Sequence, residues 1–183
     1  MRWLAILFIA LQLPANGQQL TRQQLRGMFL SATERKGALD SLYARLDAIA
    51  GKAPVEESYY GMCHGLYCNY ETGNWGKLKH VMKAKNLLNS AVERNPTDPE
   101  LRFLRFMLEH FLPSFLGLNK HIDEDLRIVF ANPAFIDDNP PLKHKILSFL
   151  IWTGRCNPDQ TRQMQAQLDV LNKKAPAALV KGN

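Results

Sequence analysis

"AVERNPTDPELRFLRF", residues 91–106, ends one helix-like run and begins another within four residues. Pro96 pushes Asn95 out of helical geometry, so the first run stops there. Asp98 carries the short acceptor side chain of an N-cap. Pro99 follows at the first helical position, where a missing N–H forfeits no intrahelical hydrogen bond. A stop and a start this close predict a tight hairpin of two antiparallel helices.

The same reading extends outward in both directions. From Thr21 to Ile49, Leu25, Met28, Phe29, Ala32, Leu39, Leu42, Tyr43, Leu46 and Ile49 recur at steps of three, four and seven, the stripe of an amphipathic helix. Thr21 is its N-cap. Gly37 weakens its middle by about 1 kcal/mol relative to alanine, which places a bend there. Further helices are expected over 54–70, 77–94, 99–112, 120–131, 141–153 and 159–174, about seven in all. On the third, Leu78, Val81, Met82, Leu87, Leu88, Ala91 and Val92 are expected to face inward. "ETGNWG" at 71–76 is a loop by composition. Asn-Pro recurs at 95–96, 132–133, 139–140 and 157–158, and a helix pair fills the 37 residues between the first two. The fold class expected is all-α, built from antiparallel helical hairpins in one domain over 18–174, with a flexible tail over 175–183.

The N-terminus reads differently. "MRWLAILFIALQLPANG" has one basic residue, Arg2, then an apolar run from Trp3 to Leu13, then Pro14 and small residues. This is a signal-peptide pattern, with cleavage expected after Gly17 and a periplasmic or secreted destination. Eleven apolar residues are too few to span a bilayer comfortably. Removing this segment lowers the formal charge of +6 by one unit. So modest a balance is no nucleic-acid signature, and no nucleic-acid partner is expected. Cys63, Cys68 and Cys156 are an odd count, and the first two would point about 140° apart on a helix, so three buried, unbridged thiols are expected.

In "ELRFLRFMLEHFL", residues 100–112, apolar side chains occupy almost the whole circumference, which marks a central helix. Arg102, Arg105 and Glu109 nevertheless form a narrow charged stripe. A buried guanidinium must be paired, and Asp123, Glu124 and Asp125, after the "PSFLGLNKH" turn, are the natural partners, with Asp125 expected on Arg105 and Asp123 next. The stripe is either a structural ion-pair network or a positively charged pocket for a carboxylate or phosphate. Tyr60 and Tyr67 share a helical face, as core aromatics or as anchors in a groove. Lys77, Lys79, Lys83 and Lys85 form either a solvated face or a contact for an anionic membrane surface or acidic partner. His64 and Cys68 have the spacing of one helical metal pair, but no second pair exists, so neither a metal nor a cofactor is expected.

"LLNSAVERNPTDPELRFLRF" resembles the junction between successive tetratricopeptide repeats, with an alanine on the second helix, then Asn-Pro, then a proline-capped helix. "YYGMCHGLY" resembles the glycine and tyrosine of the first helix of such a repeat. The likeness covers about 80 residues, with an interval of 37 rather than the usual 34. It implies a repeat-like array; the same turn chemistry also suits a compact bundle. "YYG", "AVERNPTDPELRFLRF", "PSFLGL" and "IDEDLRIV", within residues 58–130, are similar to a family of uncharacterised exported helical proteins of Bacteroidota-type bacteria. That resemblance implies compartment and fold, not activity.

No phosphate loop, nucleophile elbow, HExxH or paired-carboxylate motif occurs, which points away from catalysis without excluding it. The expected function is protein–protein or envelope-associated binding and scaffolding. The alternative is a small-anion or small-molecule binder, or an enzyme, with a pocket near Arg102, Arg105 and Tyr60.

Overall fold

The computed structural model describes residues 20–132 and 139–174. The expected signal peptide and tail lie outside these residues. Eight α-helices are present among them: α1 (Arg22–Glu34), α2 (Lys36–Asp47), α3 (Pro54–Tyr67), α4 (Asn74–Arg94), α5 (Pro99–His110), α6 (Ile122–Ala131), α7 (Pro140–Trp152) and α8 (Pro158–Lys174). A short 3₁₀ turn, Ser114–Leu116, lies between α5 and α6. The fold is all-α.

The starts follow from local chemistry. Thr21 and Gln24 form a reciprocal capping box on α1. Asp98 accepts from the backbone N–H groups of Glu100 and Leu101 at 3.0 and 3.4 Å, ahead of Pro99. Asn139 before Pro140 and Asn157 before Pro158 cap α7 and α8 in the same way. The Asn-Pro dipeptide therefore ends a helix at 95–96 and begins one at 139–140 and 157–158. After α7, Gly154 takes φ +63°, a left-handed turn that a side chain would strain.

Two expectations are corrected. The first helix is two helices, and the break falls at Arg35, which is extended at φ −141° and ψ 129°. Gly37 lies inside the first turn of α2. A continuous helix over this span would be about 43 Å long and would carry half its stripe past the core. Breaking it lets Leu25, Phe29 and Ala32 of α1 face the same core as Leu39, Leu42 and Leu46 of α2. On α4, Leu78 and Met82 are exposed, not inward. The inward face is the one carrying Ala84, Leu88 and Ala91, because α3 and α4 approach closely at Gly61. A Cβ on Gly61 would lie 3.1 Å from the Ala84 carbonyl oxygen and 3.2 Å from the Leu87 Cβ.

From α1 to α6 each helix packs on the next, α7 packs on α8, and α1, α3 and α5 also touch in sequence. One core joins α1 to α4, with Leu104 and Leu108 of α5 entering it. A second joins α6, α7 and α8 around Phe103 and Phe106 of α5. The central position expected for this helix follows: Leu101 to Phe106 are all buried.

We expect Gly61→Val to cost about 1–3 kcal/mol in urea unfolding, because the atoms it meets are backbone and a Cβ that cannot swing aside. An unchanged midpoint would mean that α3 and α4 are free to separate.

Candidate functional site

The charged side chains of α5 are met from three sides. Arg105 donates to both oxygens of Asp125 on α6, from Nε at 2.8 Å and Nη2 at 2.7 Å, and its Nη1 reaches Asn89 Oδ1 at 3.3 Å. Arg102 donates to Asp125 at 3.0 Å, to Glu124 at 2.7 Å and to the Pro96 carbonyl at 2.8 Å. Arg102, Arg105 and Asp125 are buried. The Arg102 bond holds the exposed Glu124 carboxyl below its ordinary range. Of the three expected partners, Asp125 and Glu124 meet the arginines, whereas Asp123 faces solvent. Glu109, expected on the same stripe, belongs elsewhere. It accepts from the His121 backbone N–H at 2.8 Å, lies 2.7 Å from His121 Nδ1, and has Lys85 Nζ 4.0 Å away. Lys85 is thus no solvated lysine: half-buried, it donates to the Leu118 carbonyl at 2.8 Å. Lys77, Lys79 and Lys83 are exposed.

Tyr60 is not beside the arginines. Its hydroxyl donates to Asp47 at 2.6 Å and lies 3.1 Å from that of Tyr43, while Tyr67 donates to Asp40 at 2.8 Å. Both tyrosines thus tie α3 to α2, and burial followed by these carboxylates raises both phenols above their ordinary value. Tyr43 packs against both rings and against His64. His64 Nδ1 and His80 Nδ1 are 3.0 Å apart, so one ring donates and the other accepts. Burial, then His80 and Lys83, lower His64 to about 4 against the opposing Asp47. Cys63 is buried, Cys68 and Cys156 are half-buried, and all three are unbridged. Burial pushes the Cys63 thiol up to about 12, which leaves it protonated and a poor nucleophile. Among the described residues no group of three His, Cys, Asp or Glu side chains could hold a metal ion.

An apolar concavity lies elsewhere, between α1 and α7 over α5. It is a cavity of about 180 Å³ walled by Phe29, Leu30, Phe103, Leu142 and Phe149, with Arg26, Tyr59 and Glu100 as its polar side. A second depression of about 400 Å³ shares Arg26, Leu30 and Leu142 with it and adds Arg22, Gln23 and Asn139. Buried Glu100 is fully engaged: it accepts from Arg26 at 2.9 and 3.0 Å, from Arg22 at 2.6 Å and from the Tyr59 hydroxyl at 2.7 Å. Burial and then Glu100 raise the Tyr59 phenol well above its ordinary value. A carboxylate held by four donors and a phenol kept protonated form a fixed polar wall, not an acid–base pair. Sequence reasoning missed this site. The signal available was the Arg22 and Arg26 pair at i and i+4, which asks for an acid, while Glu100 passes for a residue favouring its own helix dipole.

The chain matches no family model, no curated protein and no solved structure.

Removing one partner of the Arg105–Asp125 pair strands the other charge, so Arg105→Ala is expected to cost about 3–5 kcal/mol. A double-mutant cycle with Asp125→Ala should show coupling of about 1 kcal/mol or more in denaturant titrations, whereas additivity would dissociate the pair energetically.

His64 supplies a pH dependence of definite sign. Its folded value, about 4, lies below the ordinary 6.5, so folding favours the neutral ring. The stability gained is full above pH 6.5 and is lost as pH falls from there towards 4. Between pH 7 and pH 4 the native chain should lose about 2 kcal/mol more than His64→Gln does. Parallel pH–stability curves for the two would remove His64 as the cause.

Proposed function

We propose that this is an exported, non-catalytic binding protein that recognises a polypeptide partner through the cleft between α1 and α7. The observation that carries the reading is the pairing of an apolar cavity with an adjoining donor-bearing depression along α1. A cavity of about 150 Å³ accepts a benzene ring, so the apolar part suits one aromatic or branched side chain. The adjoining part, with Arg22, Gln23, Arg26 and Asn139, suits the carbonyl groups of an extended main chain. An apolar anchor followed by a polar backbone is the chemistry of a peptide. The order of helix contacts from α1 to α6, neighbour on neighbour with α1, α3 and α5 in a row, supports a tetratricopeptide-like array over that part, an architecture suited to such recognition. Export rests on the N-terminal pattern, and kinship with the Bacteroidota-type exported proteins on residues 58–130.

Selection against a displayed library of short random peptides tests the cleft. Enriched peptides should share one aromatic or aliphatic anchor. Leu30→Arg and Leu142→Arg should reduce their binding by about tenfold or more, since each sets a charge at the apolar mouth. Peptides that bind equally well to both variants, or a library that yields none, would place recognition elsewhere.

A further inference from the structure

In an array of antiparallel hairpins the odd helices end, and the even helices begin, at the same end of the molecule. That end here carries nearly all the exposed apolar bulk. On the first half of α4, Trp75, Leu78 and Met82 form an outward stripe, with Trp75 80% exposed. Beyond α5 and at the end of α7, Phe111, Phe115 and Trp152 are 62%, 86% and 66% exposed. Phe111 and Trp152 lie 6.1 Å apart between ring centres. The bond from Lys85 to the Leu118 carbonyl holds the loop that carries Phe115 against the middle of α4, three residues beyond Met82. Among the large apolar side chains exposed in the described residues, Val170 alone lies away from this end.

The charges at this end are mostly basic. Lys77, Lys79, Lys83, Lys120 and Arg155 are exposed and have no ion-pair partner among the described residues. Nearby acids are largely engaged: Asp40 with Lys36, Glu71 with His80, Asp159 with Arg162, while Asp123 faces solvent. At the opposite end Arg22, Arg26 and Arg94 are paired with Asp98, Glu100 and Glu57, and the exposed Lys173 is offset by the exposed Glu93.

We infer that this end docks on an anionic lipid bilayer. Tryptophan and phenylalanine on projecting turns insert at the headgroup level, and the surrounding lysines meet lipid phosphates. A protein partner fits this end less well, because lysine is depleted at protein interfaces while aromatics are enriched. No described helix is long and apolar enough to cross the membrane, so the contact is with one face of it.

The test uses the full chain carrying Trp3→Phe, so that Trp75 and Trp152 alone fluoresce. It is mixed with vesicles of phosphatidylcholine, with or without an equal part of phosphatidylglycerol. The chain should sediment with the anionic vesicles and release as salt is raised, and bromine-labelled lipid should quench both tryptophans. Replacing Lys77, Lys79 and Lys83 together by Gln should weaken binding about tenfold or more. Phe115→Ser should weaken it without changing the salt response. Unquenched tryptophans on a bound chain, equal binding to neutral vesicles, or no binding would overturn the inference. So would a self-association in sedimentation velocity that Phe115→Ser abolishes in place of any lipid effect.

Discussion

A helix enclosed along most of its length leaves its charged side chains little water to turn to, and α5 carries four such side chains, Glu100, Arg102, Arg105 and Glu109. Each has to be answered by another element. Glu100 requires Arg22 and Arg26 of α1, the two arginines require Asp125 of α6, and Glu109 requires His121 and Lys85. A helix that slid by one residue would break several of these contacts at once. Hydrophobic burial, which has no direction, draws the helices together; the charges choose which helix lies where and in what register.

What could be read in advance was what is local or chemically compulsory. Asn95-Pro96 and Asp98-Pro99 act on their own neighbours, so the hairpin between α4 and α5 was legible from those residues alone. Arg105 with Asp125 was legible because a guanidinium on an apolar helix needs a carboxylate, and one stood just after the following loop. The break at Arg35 was not legible, because neither proline nor glycine occupies that position and the helix-weakening residue nearby, Gly37, lies two residues further on. Leu78 and Met82 looked like core by spacing. Their exposure follows from the Gly61 contact, a property of two helices together.

The cleft illustrates the same limit at longer range. Arg26 and Glu100 are 74 residues apart in the chain, and nothing in either neighbourhood names the other. Only the fold brings α1 over α5, and α7 closes the far side with Leu142 and Phe149. The apolar wall and the polar wall thus come from different helices. The polar wall is immobilised by a carboxylate with four donors, which keeps the cleft's shape set before anything enters it.

The division of α5 between two cores bears on how the molecule comes apart. Leu104 and Leu108 belong to the packing of the first four helices, and Phe103 and Phe106 to that of the last three. Arrays whose units touch only their neighbours can melt piecemeal from either end. Here neither half can loosen around α5 without exposing side chains that the other half needs in place. The two halves are coupled through one shared rod, which gives a chain with two cores the cooperativity of a single globule.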